Sequence, residues 1–179
     1  AILQLPLVNV KAIAEAQFKV VVDAVNSTGG IFVPALLKAL GVQNITELYC
    51  EPTGHFPHNP EPLPEHLTEL SASVQNEQAH LGITVDPDVD RLALVCEDGS
   101  MFGEEYTLVA VADYILSKRK GNTVSNLSST KALKDITIKH GVFGFGPLKH
   151  RLHLGPIPAA MLFGFRFGQL DFFGWVARD

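Results

Sequence analysis

The chain has 179 residues, of which 46% are hydrophobic and 18% are charged, and its formal net charge is −5. These values are typical of a globular protein and exclude a large multidomain enzyme, a disordered chain and a strongly basic nucleic-acid-binding protein. We expect no membrane span, because no apolar run reaches roughly 18–20 residues. We expect a cytoplasmic location, because two cysteines make no disulfide framework and the first residues lack the features of a signal peptide.

The first elements form a strand–helix–strand unit that begins at Phe18. The apolar, β-branched run Lys19–Asp23 predicts a strand buried on both faces. A segment rich in turn-forming residues follows, and the apolar spacing of 32–40 predicts a helix that Gly41 ends. Because a second strand is predicted at Asn44–Cys50, the unit implies a parallel strand pair.

The middle of the chain predicts a loop, a helix and further strands. Five prolines between Pro52 and Pro64 exclude regular structure there, and the pattern of 65–78 predicts a surface helix. A third strand is predicted at Leu81–Val85, and residues 91–103 predict a hairpin with an Asp-Gly turn. The expected fold class is therefore α/β, with a mixed, largely parallel sheet flanked by helices.

The last third of the chain changes character near Gly141. Residues 104–121 predict a helix, 122–129 a strand and 130–140 a short helix. Up to Gly141 the chain has 10 basic and 17 acidic residues, whereas 142–179 has 4 basic and 2 acidic residues and seven of the eleven phenylalanines. Only a short β segment around 163–167 is predicted in this tail, which is interpreted either as an out-of-frame terminus or as a short C-terminal segment covering a sheet edge.

The segment Asp86-Pro87-Asp88-Val89-Asp90-Arg91 is the strongest chemical signal and directly follows a predicted strand. Three carboxylates at alternate positions repel one another unless a cation binds between them. Oxygen-only ligands favour Mg²⁺, with Ca²⁺ or Mn²⁺ as alternatives, and disfavour zinc. The adjacent Arg91 has the fork geometry that binds phosphate. The segment therefore predicts a metal loop beside a phosphate contact.

Other interpretations of this segment remain open at this stage. An EF-hand loop needs glycine where Arg91 stands, and the D-x-D loop of haloacid-dehalogenase-type phosphotransferases expects a Gly-Thr pair where Val89-Asp90 stands. A solvated acidic turn, or a non-catalytic fragment that presents this acidic loop to a partner, needs no cation at all.

Two further segments are interpreted more simply as structural. His55 and His58 lie three residues apart in the proline-rich loop, but no zinc-ligand spacing accompanies them, so we interpret them as polar loop residues. The segment 27–30 could receive a phosphate at a helix N-terminus, although it lacks a P-loop lysine, and a tight turn is the favoured interpretation.

The segment GITVDPDVDRLALVCEDGSMFGEEYTLVAVADYIL resembles the metal-loop region of the α-D-phosphohexomutases, which include phosphoglucomutase, phosphomannomutase and phosphoglucosamine mutase. KVVVDAVNSTGG and FPHNPEP are also similar to segments of that family's second domain. The resemblance implies a linker remnant at 1–17, the second domain at 18–120 and the start of a third domain at 121–141, followed by the atypical tail at 142–179.

The resemblance also implies a chemistry and its residues. Asp86, Asp88 and Asp90 match the Mg²⁺ ligands, and Arg91 matches the arginine beside the family's phosphoserine. The implied reaction is a reversible 1,6-phosphoryl shift on a hexose phosphate. The sequence contains no loop like T-A-S-H-N-P, which carries the phosphoserine, and no G-E-x-S-G-H loop for sugar recognition. We therefore expect a fragment that is inactive alone and whose hexose phosphate cannot be assigned.

Overall fold

A computed structural model describes residues 1–125, 130–145, 160–162, 164–166 and 169–171. The chain divides into two compact units, Ala1–Glu104 and Glu105–Asp179. Within the described residues, no helix is long and apolar enough to cross a membrane.

The first unit is built on one four-stranded sheet. Its strands are β1 (Lys19–Asp23), β2 (Asn44–Leu48), β3 (Leu81–Val85) and β4 (Leu92–Cys96). Their order is β2-β1-β3-β4, with β1 parallel to both of its neighbours and β4 antiparallel to β3. This arrangement confirms the predicted mixed, largely parallel sheet.

Helices cover both faces of this sheet. They are α1 (Val10–Glu15), α2 (Gly29–Ala39) and α3 (Thr68–Asn76), with short 3-10 turns at Ile2–Gln4 and Pro64–His66. Alternate residues of a strand point to opposite faces. Val20 and Val22 accordingly belong to the cluster that includes residues of α1 and α2, while Val21 packs with Leu70 and Val74 of α3. The first unit is therefore an α/β/α sandwich in which β1 supplies both cores.

Two predicted helices have different boundaries in the structure. Helix α2 begins at Gly29 rather than near Phe32, because glycine permits the first turn to approach the strand edge: a Cβ at Gly30 would lie 2.1 Å from the carbonyl oxygen of Cys50. The helix predicted from residue 65 is split, since Leu67 has φ −107° between the 3-10 turn and α3. Residues 1–17, interpreted from sequence as a linker, contain α1.

The second unit contains helices α4 (Glu104–Lys118) and α5 (Ala132–Lys139). Its described core contains Leu108, Val109, Ala112 and Leu133. The hydroxyls of Thr123 and Thr137 form a buried hydrogen bond of 2.7 Å. Its described strands are β5 (Asn122–Val124), β6 (Gly144–Phe145), β7 (Ala160–Leu162), β8 (Gly164–Arg166) and β9 (Gln169–Asp171).

The strands of the second unit pair in two groups. Strand β5 is parallel to β6 and β7, and β8 is antiparallel to β9. The strand predicted at 122–129 extends beyond β5 into 126–129, which lie outside the described residues. The β segment predicted around 163–167 includes β8. Most of the tail at 142–179 also lies outside the described residues.

Candidate metal and phosphate site

The carboxyl ends of the three parallel strands meet at one edge of the first sheet. In the strand register, Asp23 at the end of β1 is opposite Leu48 of β2 and Thr84 of β3. Two residues beyond Thr84, the chain enters the loop 86–91 that connects β3 to β4. In open α/β sheets this edge is where ligands bind.

Loop 86–91 brings the three predicted ligand residues together. One carboxylate oxygen from each of Asp86, Asp88 and Asp90 lies within 4.8 Å of the other two. Asp86 is only 6% exposed, whereas Asp88 is exposed. In the described part of the chain, no other group of three or more acidic, histidine or cysteine side chains is spaced closely enough to hold a metal ion.

The loop is folded around the Asp86 side chain. Its Oδ1 accepts hydrogen bonds from the backbone amides of Asp90 and Arg91, each at 3.0 Å. The amide of Val89 donates to the Asp86 carbonyl oxygen at 3.1 Å, and Val89 adopts φ +61°. Because this left-handed conformation costs a β-branched residue about 1–2 kcal/mol, the loop is held by its hydrogen bonds against the preference of Val89.

The surroundings of Asp86 disfavour the ionised form of its carboxyl group. Burial raises the pKa of Asp86, and contact with Asp90 and the charge of Asp88 raise it further, while the hydrogen bond from the Arg91 amide partly opposes the shift. A bound divalent cation would favour the ionised carboxylates and remove their repulsion.

The donor set fits Mg²⁺. The ion takes hard oxygen ligands at about 2.0–2.1 Å, so two of its ligands lie at most about 4.2 Å apart. Adjacent ligands lie closer, at about 2.9 Å, so the three carboxylates would have to move together from their spacing of up to 4.8 Å. The exposed Asp88 can make this movement by rotating its side chain. Asp86, Asp88 and Asp90 are thus the residues that would hold the ion.

Arg91 lies beside the three aspartates with part of its donor edge unused. Its Nη1 donates to Glu61 Oε1 at 3.1 Å, and its Nε is 3.8 Å from Asp86 Oδ2. The Nε is buried and has no hydrogen-bond partner within the described part of the chain. A buried donor without a partner is costly. The side chain as a whole is 35% exposed, so an anion could approach the rest of the guanidinium.

Four residues of this edge, Asp23, Tyr49, His58 and Glu61, were given no role at the site from the sequence. Asp23 is 1% exposed, and its Oδ2 lies 3.0 Å from His58 Nε2. The Tyr49 ring meets the His58 ring edge-on at 5.8 Å between centroids. Glu61 binds Arg91 as described above. A carboxylate at the end of a central strand was the available signal for Asp23, but no pattern indicated its partner 35 residues later.

The segment 27–30 packs against the loop of the three aspartates. Thr28 Oγ1 donates to the Pro87 carbonyl oxygen at 3.3 Å, and a Cβ at Gly29 would lie 2.5 Å from Val85 Cγ2. Ser27 is buried and accepts a hydrogen bond from the Gly29 amide. In the structure, Ser27 and Thr28 precede α2, and Gly29 and Gly30 are its first two residues.

Comparisons with known proteins agree on one family. Residues 1–99 match the family described as phosphoglucomutase/phosphomannomutase, alpha/beta/alpha domain II. The chain is 37% identical over 125 residues to a phosphoglucomutase of Neisseria gonorrhoeae, covering 68% of this chain and 27% of that protein. It is 40% identical over 105 residues to a phosphomannomutase/phosphoglucomutase of Pseudomonas aeruginosa, covering 58% and 22%.

A solved structure gives the same result. The crystal structure of a phosphoglucomutase/phosphomannomutase family protein from Burkholderia thailandensis superposes with a TM-score of 0.69 at 29% identity, covering 86% of this chain and 36% of that one. The chain thus spans about a quarter to a third of the length of the proteins that it matches. These matches do not favour the haloacid-dehalogenase alternative.

Proposed function

The chain belongs to the phosphoglucomutase/phosphomannomutase family, and we propose that it supplies the Mg²⁺-binding part of a phosphohexomutase. Such an enzyme is an isomerase that shifts a phosphoryl group between the 1 and 6 positions of a hexose phosphate. The observation that carries the proposal is the convergence of three carboxylates within 4.8 Å beside an arginine whose Nε lacks a partner. We also propose a cytoplasmic location, with which the free thiols of Cys50 and Cys96 are compatible.

In this proposal, Asp86, Asp88 and Asp90 hold the metal. When bound, Mg²⁺ supplies positive charge that stabilises the charge developing on a transferring phosphoryl group. The buried Asp86 fixes the position of the loop through its two backbone hydrogen bonds, and the exposed Asp88 adjusts to the ion. This division of roles is supported by the different burial of the two side chains.

Arg91 is the proposed phosphate contact. Its guanidinium carries several N–H donors in one plane, which suits the oxygens of a phosphate or phosphoserine. Because Nη1 is engaged by Glu61 and Nε is buried, a phosphate that approaches the aspartates would meet the donors on the exposed part of the side chain, which is 35% exposed as a whole.

The 179-residue chain alone is proposed not to turn over hexose phosphates. Its sequence contains no loop like the family's T-A-S-H-N-P, so it offers no matching serine to hold and return the phosphoryl group. It also contains no G-E-x-S-G-H loop, and the proposal therefore covers hexose phosphates as a class.

Metal binding tests the proposal directly. Isothermal titration of the full chain with Mg²⁺ should show one site, and Asp88→Ala should weaken binding by about tenfold or more, equivalent to about 1.4 kcal/mol. Glu97→Gln is the matched control, since Glu97 is an exposed carboxylate outside the group of three. Equal affinities for the wild type and Asp88→Ala would contradict the proposed site.

A turnover assay tests the second half of the proposal. The purified chain, supplied with Mg²⁺ and glucose 1-phosphate or mannose 1-phosphate, should yield no 6-phosphate above the rate without protein. Turnover that disappears in Asp88→Ala would show that the chain is active alone and would refute the proposed dependence on an additional phosphoserine segment.

A further inference from the structure

The guanidinium of Arg91 lies between two carboxylates that belong to different loops. Glu61 Oε1 accepts from Nη1 at 3.1 Å, while Asp86 Oδ2 is 3.8 Å from Nε. The first contact satisfies hydrogen-bond geometry, and the second does not. Arg91 is therefore hydrogen-bonded to the proline-rich loop and also lies within ion-pair distance of Asp86.

Glu61 is itself held in a rigid part of that loop. Its amide donates to Asn59 Oδ1 at 3.0 Å, and its carbonyl oxygen accepts from the Leu63 amide at 2.7 Å. It stands between Pro60 and Pro62, whose rings fix their own φ angles. His58, three residues earlier, is joined to the buried Asp23. The carboxylate of Glu61 is thus carried by a backbone that has little freedom to move.

Stability alone gives a weak reason for the Glu61–Arg91 pair. The two side chains are 48% and 35% exposed, and ion pairs at such positions contribute only about 0–1 kcal/mol. The orientation of the Arg91 guanidinium gives a stronger reason for the pair. Asp86 lies within ion-pair distance of Arg91, and we expect that without Glu61 the guanidinium would turn further onto this carboxylate.

We propose that Glu61 is a positioning residue that anchors Nη1 of Arg91, so that the guanidinium does not turn fully onto Asp86 and the exposed part of the side chain stays available to a phosphate. The inference rests on the proposed function, in which Arg91 contacts a phosphate group. Glu61 itself touches neither the metal ligands nor the phosphate, and it acts through Arg91 alone.

The direction of the change in phosphate affinity distinguishes a positioning role of Glu61 from the effect of its charge. Removing a carboxylate near an anion site reduces repulsion and by itself strengthens phosphate binding. Loss of the Glu61 contact that positions Arg91 weakens phosphate binding. Glu61→Ala removes both the charge and the acceptor, whereas Glu61→Gln removes the charge and keeps an acceptor oxygen for Nη1. The positioning role therefore predicts weaker binding for the alanine variant and unchanged or tighter binding for the glutamine variant.

The experiment uses the full chain, saturating Mg²⁺ and inorganic phosphate as the probe. Phosphate affinity is followed by NMR through the shift of the Arg91 Nε–H signal and of the loop amides. Glu61→Ala should weaken phosphate binding about fivefold, which corresponds to about 1 kcal/mol, while Glu61→Gln restores it. Mg²⁺ affinity and the thermal unfolding midpoint should match those of Glu65→Ala, an exposed control in the neighbouring 3-10 turn.

The outcomes distinguish the positioning role of Glu61 from the phosphate contact of Arg91. If Glu61→Ala binds phosphate as tightly as the wild type or more tightly, while Arg91→Ala loses binding, the positioning role is overturned and the phosphate contact stands. If the loop amides report the same phosphate affinity in Arg91→Ala and the wild type, or if the wild type binds no phosphate, the phosphate contact is overturned and the positioning role fails with it.

Discussion

His58 fastens the proline-rich loop to the end of the central strand, its Nε2 lying 3.0 Å from the buried Oδ2 of Asp23. The other ring nitrogen, Nδ1, is 2.8 Å from the carbonyl oxygen of Asn59. Asp23 Oδ1 accepts from the Val25 amide at 3.0 Å, so the carboxylate is bound on both oxygens. A segment whose prolines prevent it from joining a sheet ladder is thus attached to the end of β1 through this side-chain pair.

His58→Ala should destabilise the first unit by about 1–3 kcal/mol, because it leaves Asp23 Oδ2 buried without its partner. Urea denaturation of the full chain measures the loss. The matched control is His55→Ala, since the His55 side chain is exposed and its described contacts are made by its backbone. Equal unfolding midpoints for the two variants would show that the His58–Asp23 pair does not hold the loop.

The metal-free loop should lose stability as pH rises. The folded-state pKa of Asp86 is raised above its usual 3.8, chiefly by burial, so the folded chain favours the protonated carboxyl. That stabilising contribution is fully present below about pH 3.8 and is lost as the pH passes through the raised value. Denaturation in the presence of a chelator, followed from pH 3 to pH 7, measures the trend.

Asp88→Asn tests the cause of this pH dependence. Two like charges about 4 Å apart repel by about 1 kcal/mol in water, so the variant should be more stable than the wild type by up to that amount at pH 7 without Mg²⁺. At pH 3 the difference should vanish, and saturating Mg²⁺ should reverse it. A gain of the same size in Glu97→Gln would show that net charge, rather than the loop of three aspartates, is responsible.

Gly30→Ala should be more damaging than Gly29→Ala. A Cβ at Gly30 would lie 2.1 Å from a backbone oxygen of Cys50, whereas one at Gly29 would meet the Val85 side chain at 2.5 Å. A backbone atom can yield only if α2 or the end of β2 shifts. We expect a loss of about 2–3 kcal/mol for Gly30→Ala and a smaller one for Gly29→Ala, measured by urea denaturation. The opposite order would mean that α2 can slide along the sheet.

In the second unit, Asp113→Asn should lower the thermal unfolding midpoint at neutral pH. A 2.6 Å hydrogen bond with His140 is the main cause that lowers the pKa of Asp113 below 3.8, with Lys139 adding to it. The stabilisation is present above the usual aspartate value and is lost as pH falls through the lowered one. The difference between variant and wild type should therefore disappear near pH 2.

Comparison with Lys139→Ala identifies the partner that matters. Lys139 Nζ is 3.4 Å from Asp113 and the lysine side chain is 64% exposed, so its removal should change the midpoint little. His140→Ala should reproduce the effect of Asp113→Asn. If Lys139→Ala has the larger effect, the stabilisation comes from the lysine and not from the histidine.

Local patterns were sufficient to predict most of the first unit. Strands β1 and β3 have the predicted boundaries, because runs of β-branched residues bounded by turn residues leave little choice. The parallel pairing of β1 with β2 also matches the prediction. Strand β4 instead pairs with β3, and the hairpin predicted over 91–103 is reduced to an isolated antiparallel bridge between Val95 and Met101. The start of α2 was missed because it depends on a contact between Gly30 and Cys50, which lie twenty residues apart.

The same distinction applies to the candidate site. Asp86, Asp88, Asp90 and Arg91 lie within six consecutive residues, so their proximity could be predicted from spacing alone. Asp23, His58 and Glu61 contribute through pairs separated by 30 and 35 residues, and those pairs exist only after the sheet has assembled. No periodicity or motif in a single sequence encodes such a partnership.

The connection between β3 and β4 also bears on the order in which the site forms during folding. These strands are neighbours in both sequence and sheet, and the hydrogen bonds that shape their loop span only four and five residues. Closing so short a loop costs little chain entropy. The hairpin can therefore shape the cation-binding turn early in folding. The contact between Glu61 and Arg91 must await docking of the proline-rich loop. We therefore expect the loop of the three aspartates to form before the contact that orients Arg91.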